Sequence, residues 1–555
     1  MQTLMTEAGS RLGGQPWTAY PRPQLRRKDW LCLNGEWSLE AEGLGVQTIR
    51  VPFCPESLLS GVKTPPDWGA LLVYRRRFSL PAGWAGRRVL LHFGAVSREA
   101  EVLLNGRLLA RHDNAYLPFT VELTGLLPGE NELCVRVRND LSHRHPWGKQ
   151  RRDRGGMWYT PVSGIWQTVW LEPVPERYVR ALSVTTGPDW AEIRAEGVES
   201  GSVELAGRCY PLAGGRARIP LDNPRLWSPE DPYLYSYTLT SGEDRVESYF
   251  ALRTLSVEKR QGIPRLCLNG RPYFFHGLLD QGYWSDGLYT PAAPESYAAD
   301  ILAMKELGFN TLRKHIKIEP EQFYYDCDRL GMVVFQDMVN CGEYDFLRDT
   351  ALPTLGLQKR DDRGLHRDAE TRKNFLSAME ETVRLLSGHP CICLWTIFNE
   401  GWGQFCADEA YDRLKALDPT RFVDATSGWF HQWRSDVDSL HLYFQKPHLG
   451  KQRQLPQFLS EYGGYSWKLP EHSFNLEKTY GYRKYTAREP FVRDLRGLLK
   501  QLVPLAELGL CAAVYTQVSD VEDETNGLLS FDRKVRKVEP EELAGIAQAL
   551  QRAVE

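Results

Sequence analysis

Cys391-Ile-Cys-Leu-Trp-Thr-Ile-Phe-Asn-Glu-Gly-Trp-Gly403 runs from an apolar stretch into two polar residues and then a glycine-rich turn. The apolar part is too short, and too rich in β-branched and aromatic residues, for a helix. It reads as a buried strand with Asn399 and Glu400 at its carboxyl end. Gln457-Phe-Leu-Ser-Glu-Tyr-Gly-Gly464 delivers a second carboxylate, Glu461, in the same way. One glutamate beside a glycine turn is ordinarily a solvated surface group. Two that end apolar strands, flanked by Trp395, Trp402, Tyr462 and Trp467, point to a site, because paired carboxylates are the minimum equipment for cleaving a glycosidic bond.

Outward from these strands, the chain after Val257 alternates strand and helix. Strands are predicted at Tyr273–Gly277, Thr311–Lys314, Val333–Asp337, Ile392–Asn399, Phe422–Thr426, Leu440–Tyr443, Gln457–Glu461 and Ala512–Gln517. Helical patterns fall at Pro294–Leu307, Pro320–Leu330, Asp368–Leu386, Ala407–Leu417, Phe491–Leu502 and Pro540–Arg552. This rhythm implies a (β/α)₈ TIM barrel, whose chemistry sits at the carboxyl ends of the strands. His276 and Asp280 follow the first strand, Arg313 and His315 end the second, Asp337 ends the third, and His441 and Tyr443 belong to the sixth. Together they supply the donors and acceptors that a polyhydroxylated ligand needs. Trp402, and Trp284 in the loop Leu279–Asp286, are candidate stacking walls.

Upstream, from Trp30 to about Pro173, short alternating strands punctuated by turns predict an all-β sandwich. More short strands follow from about Val174 to Ser256. They end in the proline-spaced Asn223-Pro-Arg-Leu-Trp-Ser-Pro-Glu-Asp-Pro, which suits the edge of a small immunoglobulin-like β-sandwich acting as a spacer.

The 555 residues are 42% hydrophobic and 25% charged, an ordinary globular composition, and the net charge of -3 leaves no footprint for nucleic acid or an anionic membrane. The basic run Lys149-Gln-Arg-Arg-Asp-Arg154 is short and reads as a solvated or ligand-adjacent loop. Eleven scattered cysteines without a Cys-x-x-Cys pair read as free thiols. Met1–Gly9 lacks the basic and apolar regions of a signal peptide, and no apolar run approaches the ~20 residues needed to span a bilayer. The expectation is a cytoplasmic protein with no nucleic-acid or membrane partner, and a homo-oligomer is compatible with it. No Glu/His cluster with ligand spacing shows near Glu400 in the sequence, so no metal and no cofactor are expected.

Asn399-Glu-Gly and Ser460-Glu-Tyr-Gly463 resemble the acid/base and nucleophile motifs of glycoside hydrolase family 2. Pro21-Arg-Pro-Gln-Leu, Trp30-Leu-Cys-Leu-Asn-Gly-Glu-Trp, Val51-Pro-Phe-Cys-Pro-Glu-Ser, Phe93-Gly-Ala-Val and Ser163-Gly-Ile-Trp-Gln-Thr-Val-Trp-Leu-Glu resemble the family's sugar-binding jelly-roll domain. One departure is Asn114-Ala115, where members commonly carry Gly-Gly, and a change of turn is expected there. The resemblance implies a jelly-roll domain over 1–173, an immunoglobulin-like sandwich over 174–258 and a catalytic barrel over 259–555. It implies a retaining mechanism with Glu400 as general acid/base, its pKa raised by burial and the neighbouring carboxylate, and Glu461 as nucleophile. Asn399 would bond the sugar 2-hydroxyl and Tyr443 would orient Glu461. Arg313 and Asp337 match family positions, whereas His315 falls one residue short of the usual histidine.

The substrate is less defined. No Asn-x-Lys motif, the carboxylate grip of glucuronide-cleaving members, occurs in the chain, and Lys314 and Lys317 remain as another route to an acidic sugar. A terminal β-galactoside is the first expectation. β-Mannosidase and β-glucuronidase are the alternatives within the family, and a non-catalytic carbohydrate-binding protein is the alternative outside it.

Overall fold

The computed structural model describes residues 1–451 and 454–555. Strand Gly35–Ala41 shows why the first part of the chain is β: Trp37, Leu39 and Ala41 point inward while Glu36 and Glu40 stay exposed, the period of two that a sheet with one buried face requires. This strand lies in a six-stranded antiparallel sheet that packs against a four-stranded one. Trp37, Ile49, Leu91, Val102 and Val135 fill the space between them, completing the jelly-roll sandwich. At the Asn114-Ala115 departure, Asn114 Oδ1 accepts from the backbone N–H of Tyr116 at 2.9 Å and of Leu117 at 3.1 Å, so its side chain supplies the turn.

Strands between Ala181 and Phe250 form a seven-stranded antiparallel sheet. One residue pair, Ala213 with Arg216, joins the hairpin at its middle, and the sheet closes there on Ile193, Val203, Ile219 and Leu239. This sandwich docks on the amino-terminal end of the barrel through Asp328. The carboxylate accepts from Tyr249 Oη at 2.7 Å and from the Cys391 N–H at 2.8 Å, and lies 2.7 Å from His389 Nδ1.

The barrel's parallel strands follow one another in chain order around an eight-stranded sheet. Among the described residues no ladder joins the fifth strand, Phe422–Ser427, to the sixth, Asp438–Leu442; there Ser439 Oγ donates to Asp424 Oδ1 at 2.9 Å. The second, third and fourth strands have the predicted bounds. The first is Phe275–Asp280 instead of Tyr273–Gly277, which corrects the placement of His276. It lies at the amino end of the strand, Nδ1 3.2 Å from the Gly308 carbonyl and ring 4.3 Å from Phe309, away from the catalytic end. The last predicted helix is two, Pro540–Leu543 and Ile546–Val554, because Gly545 takes a left-handed φ of 81° between them.

Candidate active site

The fourth strand, Ile392–Asn399, is buried along its whole length, and Glu400 is the first residue beyond it. Its backbone is left-handed, φ 53°, pinned by its N–H on the Ser427 carbonyl at 2.9 Å and by Trp429 Nε1 on its own carbonyl at 3.0 Å. Such a conformation costs a non-glycine residue of order 1 kcal/mol and persists when neighbours over-determine it. It turns the carboxylate inward, where Oε1 lies 2.8 Å from His441 Nδ1.

Glu461 arrives on the seventh strand, Gln457–Tyr462. The register between the sixth and seventh strands shifts after Leu440, which sets Glu461 beside His441; an irregularity of this kind re-aims a side chain at a barrel rim. Arg313, fully buried on the second strand, donates through Nη1 to Glu461 Oε1 at 3.1 Å, through Nε to Asp337 Oδ1 at 3.0 Å and through Nη2 to Asn399 Oδ1 at 2.8 Å. One guanidinium thus ties together the ends of four strands. Tyr443 donates to Glu461 Oε2. Burial alone would raise the Glu461 carboxyl, but the positive charges of His441 and Arg313 outweigh it and hold the group at about 2. His315 stands 2.7 Å from Asp337 Oδ2, and burial lowers its imidazole to about 4. Asn399 has spent its oxygen on Arg313, and its Nδ2 has no partner among the described residues.

The fold therefore brings Glu400, Glu461, Asn399, Arg313, His315, Asp337, His441 and Tyr443 into one bonded cluster. Trp402 borders it, its ring 6.5 Å from that of His315. Asp280 and Trp284 do not join. Asp280 is held by Lys314 Nζ at 2.6 Å. Trp284 lies under the Arg533 guanidinium at 4.3 Å and edge-on to Tyr297 at 6.0 Å, because its loop folds back into the core. Lys314 and Lys317 are corrected too. Lys317 gives its three protons to Gly282, Tyr289 and Glu319, and Lys314 bonds Asp280 and Glu319, so neither ammonium is available to an acidic sugar. Trp395, bonded to Asp418, and Trp467, against Phe491, belong to packing.

One further correction concerns metal. His441 sits between the two glutamates, and one ligand atom each from Glu400, His441 and Glu461 lie within 4.8 Å of one another. Residues far apart in sequence meet at strand ends, so sequence spacing did not reveal this Glu/His cluster. Both His441 nitrogens already have partners, Nδ1 in Glu400 and Nε2 in Ser427 Oγ at 3.1 Å. Sequence reading also missed Trp429 and Ser427. The signal was present, since Thr426-Ser-Gly-Trp429 repeats the polar-strand-end, Gly, Trp pattern of Asn399–Trp402. The arrangement offers an ionised carboxylate opposite a second carboxylate, with the Asn399 amide nitrogen free among the described residues to bond a sugar.

Three family models match the chain. The model described as "Glycosyl hydrolases family 2, TIM barrel domain" matches residues 261–464, "Glycosyl hydrolase 2 galactose-binding domain-like" matches 67–201 and "Glycosyl hydrolases family 2" matches 184–253. The chain belongs to glycoside hydrolase family 2. It is therefore a glycoside hydrolase, acting on β-glycosides. This family 2 enzyme is 28% identical to a β-galactosidase of Aeromonas hydrophila over 74% of its own chain, and it spans 42% of that protein's length. It is 24% identical to the β-glucuronidase of Felis catus, over 80% of this chain and 79% of that one. A β-D-glucuronidase structure from Dictyoglomus thermophilum shares the fold with a TM-score of 0.75 at 18% identity, covering 96% of this chain and 98% of that one.

Proposed function

We propose that this enzyme is a retaining exo-β-glycosidase working by double displacement on terminal β-glycosides, with a β-galactoside as the leading substrate. The observation that carries this reading is the approach of Glu400 and Glu461, which hold ligand atoms within 4.8 Å of each other across His441. Retaining enzymes separate their carboxyl groups by about 5–5.5 Å and inverting ones by about 6.5–9.5 Å, to admit a water. Glu461, ionised and braced by Arg313 and Tyr443, attacks the anomeric carbon while Glu400 protonates the leaving oxygen. Water then cleaves the glycosyl-enzyme with Glu400 as base. Asn399 Nδ2 bonds the sugar 2-hydroxyl, a contact that strengthens as the ring flattens towards an oxocarbenium ion. The exo action is supported by the jelly-roll loop over Trp147–Tyr159, which packs against the barrel mouth. Trp158 lies 5.1 Å from Trp402, and Tyr159 Oη donates to Glu524 at 2.8 Å.

β-Glucuronide hydrolysis is the second reading, since both enzyme names occur among the relatives. All eleven cysteines are free, which supports the cytoplasm as the compartment.

A 2-fluoro glycoside with a good leaving group tests the mechanism, because the fluorine slows both steps and the leaving group restores only the first. Peptide mapping is expected to find the label on Glu461, and early product seen by NMR should be the β-anomer. Label on another carboxylate, or an initial α-anomer, would overturn the assignment.

A further inference from the structure

Lys149, in the basic jelly-roll run, stands at the barrel mouth without a counter-ion among the described residues. It is buried, 7% exposed. Its ammonium stands 5.4 Å from the centre of the Tyr159 ring and 5.7 Å from that of Trp402, and among the described residues it makes no ion pair or hydrogen bond. Glu524, on the loop after the eighth strand, meets the hydroxyl of that same Tyr159. That carboxylate is 4% exposed and accepts through Oε2 from Tyr159 Oη at 2.8 Å and from Gln517 Nε2 at 2.7 Å. Its Oε1 has no donor among the described residues. Burial pushes the Glu524 carboxyl up and the Lys149 charge opposes that push. Trp402, whose ring is 6.5 Å from that of His315, carries Lys149 to the rim of the same pocket.

An ammonium over the Tyr159 ring and a carboxylate on its hydroxyl that form no ion pair among the described residues supply a donor and an acceptor side by side. A hydroxyl satisfies both sides, accepting from Lys149 and donating to Glu524. A carboxylate satisfies only the first and sets two anions against each other. Resting on the double-displacement reading above, we propose that Lys149 and Glu524 clamp a glycon hydroxyl remote from the anomeric carbon, at the 4- or 6-position, and so select neutral hexosides over glycuronides. The clamp complements Asn399, which takes the 2-hydroxyl. It also gives the jelly roll a part in specificity, since Lys149 belongs to that domain and Glu524 to the barrel.

The test compares 4-nitrophenyl β-hexosides with the corresponding β-glucuronide and β-galacturonide, together with 4-deoxy and 6-deoxy versions of the best neutral substrate. The wild-type enzyme should favour the neutral glycoside, and one deoxy sugar should lose about 10- to 100-fold in kcat/KM, as expected for a hydrogen bond to a charged group. Lys149→Met and Glu524→Gln should each lose a similar factor on the full sugar and little more on that deoxy sugar, a pattern that general misfolding would not produce. Because the deoxy sugars are read on the wild-type enzyme, the proposal stays testable if a variant fails to fold. Equal rates on both deoxy sugars and the parent, or a uronide cleaved faster than every neutral hexoside, would overturn the clamp while 2-fluoro labelling of Glu461 still succeeded. Failure of that labelling with every glycon would remove the double-displacement reading itself.

Discussion

Glu400 combines a left-handed backbone with a carboxylate bonded to His441, so its side chain is set before substrate arrives. Glu400→Ala should cost about 10²–10⁴-fold on glycosides with poor leaving groups and far less on activated aryl glycosides, which barely need protonation. Parallel kinetics on the two substrate types would check this, and equal damage to both would remove the acid role. Glu461 carries a different consequence. Its carboxyl falls from the ordinary 4.5 to about 2 on folding, so the ionised group adds stability that is fully present above the unfolded value and is lost as pH falls from about 4.5 towards 2. Acid unfolding followed by circular dichroism should steepen across that window, and Glu461→Gln should flatten it. His441 bears on metal dependence: a cation would have to displace its bonds to Glu400 and Ser427. Activity should therefore survive a chelator, and a large loss restored by a divalent ion would show that the trio binds one.

Elements that the residues determine locally were legible in the sequence. The third and fourth barrel strands are apolar runs with polar ends, the second is the short Thr311-Leu-Arg-Lys314, and the bounds of all three agree with the structure. Tyr273-Phe-Phe275 misled because a run of aromatics before a strand reads like the strand itself. The two lysines after Arg313 misled for another reason, since besides Glu319 their partners are Asp280 at the end of the first strand and Gly282 and Tyr289 in the loop after it. The glycine turns are determined locally as well as by packing. Gly403 has φ 65°, and a Cβ there would lie 1.8 Å from the Cys341 carbonyl oxygen. Gly403→Ala should destabilise the chain by at least about 1–2 kcal/mol and displace Trp402 and Glu400. A lower thermal midpoint with a reduced kcat would show it, and an unchanged midpoint would mean that the turn relaxes freely.

At the scale of the molecule, the sequence left Lys149 in a loop either solvated or ligand-adjacent, because the choice depends on where one domain sets a loop against another. The same holds for Asp328, which joins the second sandwich to the barrel through Tyr249. Tyr249→Phe removes that donor from a buried carboxylate and should cost about 1–3 kcal/mol, read as a lowered denaturant midpoint with the glycoside preference unchanged. The jelly-roll loop that carries Trp158 and Lys149 differs in kind, because it forms the wall of the pocket while the barrel forms the floor. Mild heat or low urea that loosens this contact should therefore silence the enzyme and shift the fluorescence of Trp158 and Trp402 while the far-UV circular dichroism is still native. Cooling should restore turnover without any refolding of the catalytic strands, so that inactivation and unfolding become two separate transitions.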